Sequence, residues 1–358
     1  METTLRRIWP AIPVLLALVS TTLLIIAFGA DPIQTYGAFI EGAFGSADST
    51  LNTFAFWIPL LLCCTGLLVT FTAGLWNIGV EGQLVMGSIG ASWVAIAIAG
   101  PNPNIPAWII IALEISAAMG AGALWAALCA VLKTRGGIHE IFVGVALNKL
   151  AEIFTNYLIS NPWHPPHVGS SNFTKTERFA DTALLPLMGT SQFSPLSLIL
   201  VVVALVVIAL ALRGSSWGLR LKAMGKNLKA AFILGVPSER EAITGMMVAG
   251  ALAGLGGAVR VLSWYDSLRQ SIGGGIGFLA VLIVLLAGTQ PILTAFIALA
   301  FSTLLTGGTT VQLRTQLHSA LSGVIQGALV LFVLLFGDYN RVFRRKAEPP
   351  ALVDTSHE

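Results

Sequence analysis

Residues 213–240 read RGSSWGLRLKAMGKNLKAAFILGVPSER and form a polar, basic segment in a chain that is otherwise mostly apolar. Six of the twenty Lys and Arg residues fall in it, and long apolar runs lie on both sides. A simple connection between membrane spans needs neither this charge nor regular local structure. The segment therefore predicts a structured surface that another molecule contacts.

The apolar residues of this segment recur at helical spacing: Leu221, Met224, Leu228, Ala231 and Phe232. Gly225 predicts the end of a first short helix at about 217–224. Asn227 is a suitable cap for a second helix at about 228–234, which Gly235 stops. Two short helices joined in this way form a compact knob at the membrane surface. The pattern fits a docking element for a cytoplasmic partner and fits equally a helix held by anionic lipid headgroups.

The composition excludes an ordinary soluble domain. Hydrophobic residues make up 55% of the chain and charged residues 10%, with a mean hydropathy of +0.82, whereas soluble domains carry about 25% charged residues. The 37 glycines fit closely packed membrane helices. The three cysteines, Cys63, Cys64 and Cys129, lie inside apolar runs and are expected to be core residues, with no disulfide and no metal site.

Apolar windows of membrane length predict an all-α polytopic membrane protein of about ten spans. The windows fall at about 11–30, 54–73, 84–99, 107–132, 138–160, 196–212, 241–262, 274–289, 291–306 and 319–337. The first window is long for a cleaved signal, so we expect it to be a retained span.

The distribution of positive charge predicts the orientation of these spans. Fourteen Lys and Arg residues fall in the segments on one side and four on the other, which places both termini and residues 213–240 in the cytoplasm. The loop 161–195 is then extracytoplasmic. We expect one transmembrane domain over 1–345, followed by a short cytoplasmic tail at 346–358.

A first polar motif, GLWNIGVEGQ at 74–83, lies between two apolar runs and contains Asn77, Glu81 and Gln83. Its three glycines disfavour a regular helix. Irregular polar backbone at membrane depth occurs only where it is buried in protein or lines water. The motif is therefore either part of a pathway or a plain cytoplasmic turn.

A second polar motif covers residues 137–152. Lys149 and Glu152 are three residues apart on a predicted helix and can form an ion pair, and Asn148 adds a neutral hydrogen-bonding group. Charges within spans usually face a bundle interior or a cavity. These groups either contact a small polar solute or hold helices together. We expect Glu114 and Arg260 each to have a partner as well.

Two further patterns bear on mechanism. Residues 74–99 and 272–306 both give short spans interrupted by glycine, proline or polar residues, which is typical of discontinuous helices near a transport path. Gly225-Lys226 is followed by Asn227, so it does not form a phosphate-binding loop, and no catalytic motif is present. If transport uses ATP, another chain hydrolyses it.

Four stretches resemble one known family, the permease subunits of bacterial ABC importers in the branched-chain amino acid, ribose and nucleoside group. They are WNIGVEGQ at 76–83, GLRLKAMGKNLKAAFILGV at 218–236, MVAGALAGLGGAV at 247–259 and IHEIFVGVALNKLAEIFTNYLISNPW at 138–163. The last is most similar to the nucleoside (basic membrane lipoprotein-dependent) branch. The chain departs from the family at Leu228, where proline is common, and at Lys149, where an uncharged residue is more usual.

The resemblance implies a ten-span permease that forms the translocation path for nucleosides or a related small polar solute. Simple sugars such as ribose are the alternative solute. An ion-coupled secondary transporter that uses the Lys149–Glu152 pair or Glu114 is the alternative from another class. The chain itself is expected to be no enzyme and to bind no cofactor.

The resemblance also implies the partners and the location. The expected partners are an ABC ATPase subunit that binds ATP and Mg, a second permease subunit, an extracytoplasmic substrate-binding protein and membrane lipid, without nucleic acid. The expected location is the bacterial cytoplasmic membrane. The residues expected to couple to the ATPase are Leu221, Met224, Gly225, Asn227, Ala230, Ala231 and Gly235. The residues expected along the path are Asn77, Glu81, Gln83, Asn148, Lys149 and Glu152.

Overall fold

The computed structural model of the chain describes residues 12–102, 104–164 and 174–315, with the short pieces 323–324, 327–328 and 331. Most of the described residues are helical, and their one β-type contact is an isolated bridge between Lys175 and Arg269. The α-helices are α1 (Ile12–Ala27), α2 (Pro32–Phe44), α3 (Ala47–Thr72), α4 (Val80–Val94), α5 (Ala107–Thr134), α6 (Glu140–Ser160), α7 (Pro195–Gly214), α8 (Ser216–Lys226), α9 (Leu228–Ile233), α10 (Ser238–Val259), α11 (Ile276–Ala287) and α12 (Pro291–Thr315). The all-α prediction is confirmed.

Six helical stretches of the described part are long and apolar enough to cross a membrane. They are Ala47–Thr72, Val80–Ala99, Ala107–Thr134, Pro195–Gly214, Ser238–Trp264 and Pro291–Gly308. Helix α6 has 21 residues, but its polar side chains lower its hydropathy. The 12-residue α11 is short for a span. The predicted window 319–337 lies largely outside the described residues, so the number ten is not confirmed.

The start of the described chain has a bend and a second helix that the sequence analysis does not predict. Helix α1 ends at Ala27, Gly29 adopts a φ of 77°, and α2 begins at Pro32. The stretches Leu18–Ala27 and Pro32–Phe44 are bent by 112°. The hydroxyl of Tyr36 contacts the hydroxyls of Thr21 and Thr22 across the bend. Helix α1 thus covers most of the predicted window 11–30, and the bend follows it, where glycine and proline interrupt the helix.

The described residues divide into two compact units. The smaller consists of the described parts of Met1–Gly42 and Leu304–Glu358, with a core of Ile25, Ala38, Phe39 and Val311. The larger unit, Ala43–Thr303, contains the polar motifs and the basic segment.

The larger unit is built around close contacts between α4, α5 and α10. A methyl group added to Gly87 of α4 would overlap Gly254 of α10, and one added to Gly122 of α5 would overlap the Gly250 carbonyl of α10. The Ser88 hydroxyl donates to the Gly257 carbonyl over 3.0 Å. Without a hydrophobic driving force between helices in lipid, such small residues allow the dispersion contacts that hold a bundle together.

The described part of the predicted outer loop is structured. Thr176 N donates to the Leu268 carbonyl and Phe179 N donates to the Asp266 carbonyl, both over 2.9 Å. Residues 174–180 thus pair with the segment that follows α10. That segment leads directly into the glycine-rich residues before α11.

Candidate functional site

The two glycine-interrupted stretches predicted at 74–99 and 272–306 meet at Glu81. This residue lies in the first turn of α4, and its carboxylate accepts from Gly275 N over 2.8 Å and from Gly277 N over 2.6 Å. These amides lie at the start of α11, where backbone N–H groups have no partner within the helix and the helix dipole favours negative charge. Glu81 therefore caps α11 from another helix.

The glycines make this cap possible. Gly274 and Gly275 have φ values of 59° and 79°, which favour glycine. A methyl group on Gly277 would overlap the backbone and carboxylate of Glu81. The sequence Gly273–Gly277 thus lets a helix begin inside the bundle, directly against α4.

Arg260 holds the other side of the same segment. It begins the π-helical turn Arg260–Trp264 that continues α10, and it is 4% exposed. Its Nε donates to the Ile272 carbonyl over 2.9 Å and its Nη2 to the Tyr265 hydroxyl over 3.0 Å. In this irregular segment the Ile272 carbonyl therefore faces the Arg260 cation, while the N–H groups of Gly275 and Gly277 face the Glu81 anion. Such pairing is what buried irregular backbone requires at membrane depth.

Three other predicted path residues also bond inside the bundle. Asn77 and Gln83 are buried and exchange two amide hydrogen bonds, of 3.0 and 2.9 Å. Asn148 of α6 accepts from Gly82 N over 2.8 Å and donates to the Ile78 carbonyl over 2.9 Å. These amides fix the entry into α4 and its contact with α6. We name Asn77, Glu81, Gln83, Asn148 and Arg260, with residues 272–277, the buried polar cluster.

Lys149 and Glu152 are not part of this cluster. Their side chains form the expected ion pair over 2.8 Å, but on the outer face of α6, where the Lys149 side chain is 66% exposed and that of Glu152 39%. The structure therefore separates the six predicted path residues into four that are held within the bundle and two that are not.

The basic segment folds into the two predicted helices, α8 and α9. Asn227 caps α9, since its side-chain oxygen accepts from Ala230 N over 3.0 Å, and Gly235 follows with a φ of 80°. The boundary at Gly225 differs from the prediction: α8 continues through Gly225 to Lys226. A methyl group on Gly225 would overlap the Thr72 carbonyl, so this glycine allows close packing against the end of α3 and does not end the helix.

The residues predicted to couple to an ATPase fall into two groups. Leu221, Met224 and Ala231 are buried against the rest of the chain. Ala230 is exposed, as are Gly225, Asn227 and Gly235. Arg220 pairs with Glu241 of α10 over 2.5 Å, which ties α8 to the bundle.

The tip of α9 exposes apolar side chains that sequence analysis did not single out as a surface. Phe232 is 73% exposed, Ile233 83% and Leu234 79%, next to the exposed Leu228. We call these four residues the apolar tip. Exposed apolar patches of this kind are typical of surfaces that contact protein or membrane.

Sequence reasoning expected partners for Arg260 and Glu114, with different outcomes. Arg260 has them, although its role in clamping the segment before α11 could not be foreseen. Glu114 is fully buried, and neither of its carboxyl oxygens has a hydrogen-bond partner in the described part of the chain. The expectation for Glu114 is therefore wrong there.

Comparison with known protein families gives a match over most of the chain. The family described as "Branched-chain amino acid transport system / permease component" matches residues 49–334. No solved structure matches the chain.

Three relatives have similar identity. The glucose ABC transporter permease protein TsgB13 of Haloferax volcanii is 29% identical over 91% of this chain and 86% of its own length. The nucleoside ABC transporter permease protein NupB of Lactococcus lactis is 29% identical over 90% of this chain and 89% of its own. The guanosine ABC transporter permease protein NupP of Bacillus subtilis is 29% identical over 90% and 92%.

Proposed function

The chain belongs to the permease component family of branched-chain amino acid transport systems, and from this premise we propose that it forms the translocation path of an ATP-driven importer for nucleosides or a related small polar solute. Of the three relatives described above, two bear the names of nucleoside or guanosine permeases and one that of a glucose permease. Simple sugars are therefore the second candidate. The comparisons do not favour an ion-coupled secondary transporter.

The observation that carries the coupling proposal is the apolar tip. On the predicted orientation it faces the cytoplasm, where exposed apolar side chains on a basic loop fit a groove in a separate ATPase subunit. The residues predicted to couple to the ATPase divide into an exposed group and a buried group. Ala230 and the apolar tip would touch the ATPase, while Leu221, Met224 and Ala231 would hold the knob to the bundle.

Packing supplies a route for mechanical coupling. Gly225 lies against Thr72 at the end of α3, and Leu221 lies beside Gly245 of α10. Helix α10 packs in turn on α4 and α5 through the glycine contacts, and α4 holds α11 through Glu81. A push on α8 would therefore reach α3, α10, α4, α5 and α11, and it would reach α6 through the bond between Gly82 and Asn148. Rigid-body rocking of such a bundle is a known way to alternate access.

The remaining parts of the assembly follow from the same premise. We place ATP and Mg in the partner ATPase and no nucleotide or cofactor in this chain. A second permease subunit would complete the path, and an extracytoplasmic binding protein would deliver the solute. The location would be the cytoplasmic membrane, with both termini and the knob inside.

Uptake of labelled guanosine and glucose into vesicles that contain the complete transporter tests the function. We expect uptake of at least one solute to require both ATP and the ATPase subunit. Uptake that continues unchanged after removal of the ATPase would contradict the proposal.

Ala230→Arg tests the coupling surface. Because Ala230 is exposed and its neighbour Ala231 is buried, an arginine at 230 should leave the fold intact but block docking. Uptake should fall while the amount of folded protein in the membrane stays the same. Ser216→Arg is the matched control, since it adds the same charge at an exposed position of α8. Equal uptake by the two variants would remove Ala230 from the docking surface.

A further inference from the structure

The exposed face of α6 carries a polar stripe that the buried polar cluster does not include. Its members recur at helical spacing: Lys149, Glu152, Asn156 and Ser160. At about 100° per residue, the four positions fall within roughly 80° of the helix circumference. Lys149 and Ser160 are exposed, and Glu152 and Asn156 are partly so. One polar side chain, Asn156, also has an oxygen, Oδ1, that is buried without a hydrogen-bond partner in the described part of the chain.

The depth of this stripe argues against contact with lipid. Helix α6 has 21 residues and is about 31 Å long, so the ion pair lies near its midpoint. Asn148, next to Lys149, bonds to Gly82 and Ile78 at the start of the span Val80–Ala99. Further along α6, Phe154 and Leu158 line one cavity with Ile89 and Trp93, so Asn156 lies near the middle of that span. Charged and polar side chains within a span usually face a cavity, water or protein, since hydrocarbon does not solvate them.

We propose that this stripe is a wall of the water-filled solute path and binds the hydroxyl groups of a sugar-containing solute. The inference rests on the proposed function and deepens it. Lys149 supplies N–H donors and the Glu152 carboxylate accepts. Vicinal hydroxyls need this combination, because each hydroxyl both donates and accepts. The pentose of a nucleoside and a hexose both present such a pair.

The space that the stripe faces would hold the solute and water, and the second permease subunit would lie beyond that space. A face used only for protein contact would exclude water from the same side chains. Measuring whether water reaches these side chains therefore distinguishes a solute path from a protein interface.

Single cysteines measure that access in membrane vesicles that contain the complete transporter. The native Cys63, Cys64 and Cys129 are buried, so they give little background. Asn156→Cys should react with a charged, membrane-impermeant thiosulfonate at least about tenfold faster than Val206→Cys, because a thiol in hydrocarbon does not ionise. Val206 of α7 is the matched control: it is 49% exposed on a strongly apolar helix.

Guanosine or glucose should slow the reaction at Asn156→Cys. Labelling at the rate of the Val206 control overturns the assignment of the stripe to the path. Labelling that neither solute slows overturns the hydroxyl-binding assignment. These readouts need no ATP hydrolysis, so their failure is distinct from loss of ATP-dependent uptake.

Glu152→Gln provides the second readout. Loss of a charged acceptor should raise the KM for uptake about tenfold or more and leave the maximal rate largely unchanged. The effect should be smaller for a deoxy analogue that lacks one hydroxyl of the pair. An unchanged KM, or an equal effect on both solutes, would contradict a contact between Glu152 and that hydroxyl.

Discussion

Two polar regions of the larger unit, the buried polar cluster and the polar stripe of α6, lie side by side but differ in how their groups are satisfied. In the cluster, the Glu81 carboxylate accepts from two backbone amides and Asn77 and Gln83 pair with each other. On the stripe, Lys149 and Glu152 pair on an exposed face. Asn148 and Lys149 are adjacent in sequence, yet one belongs to each region.

The difference shows that polarity within a span is not enough to identify a transport path. A polar group whose hydrogen bonds are all made within the chain stabilises the architecture and offers little to a solute. A polar group on an exposed face at the same depth needs water, solute or another subunit. Mutations should therefore affect stability in the cluster and transport in the stripe.

The largest expected effect on stability comes from Glu81→Ala. This change removes the cap of α11 and leaves the Gly275 and Gly277 amides without their acceptor, which should lower the free energy of unfolding by about 3 kcal/mol. Thermal unfolding of the purified protein in detergent measures it. Glu152→Ala is the matched control on the stripe and should cost about 0.5 kcal/mol or less. Similar losses in both variants would erase the distinction between the two regions.

The Asn77–Gln83 pair should give the next largest effect. Each alanine variant leaves the other amide buried without its partner, at a cost of about 1–3 kcal/mol. The double variant should cost less than the sum of the single variants, since the second change removes an amide that is already unpaired. Strict additivity in a double-mutant cycle would show that the two amides do not interact.

The buried polar cluster and the basic segment also differ in how much of each could be predicted from the sequence. The all-α membrane class, the two helices of the basic segment, the cap at Asn227 and the Lys149–Glu152 pair follow from local pattern, and local pattern predicted them. The cap of α11 by Glu81 joins residues nearly two hundred positions apart, and no local signal indicates it. Gly225 was assigned to a helix end because glycine often has that role, whereas here it serves close packing with Thr72.

The smallest expected effect concerns Glu114. Since its carboxyl oxygens have no hydrogen-bond partners in the described part of the chain, Glu114→Leu removes a polar group without breaking an interaction. The free energy of unfolding should stay the same or rise by about 1 kcal/mol. Thermal unfolding under the conditions used for the Glu81 variant checks this. A large loss of stability would place Glu114 with the buried polar cluster as a partnered residue.

Photo-crosslinking from position 232 tests most directly whether a separate motor drives this chain through its knob. A photoreactive amino acid replaces Phe232 in the complete transporter, and the same substitution at Leu210, exposed on α7, serves as the control. The account predicts a crosslinked product between this chain and the ATPase from position 232, and lipid adducts alone from position 210. Lipid adducts alone from both positions would contradict it.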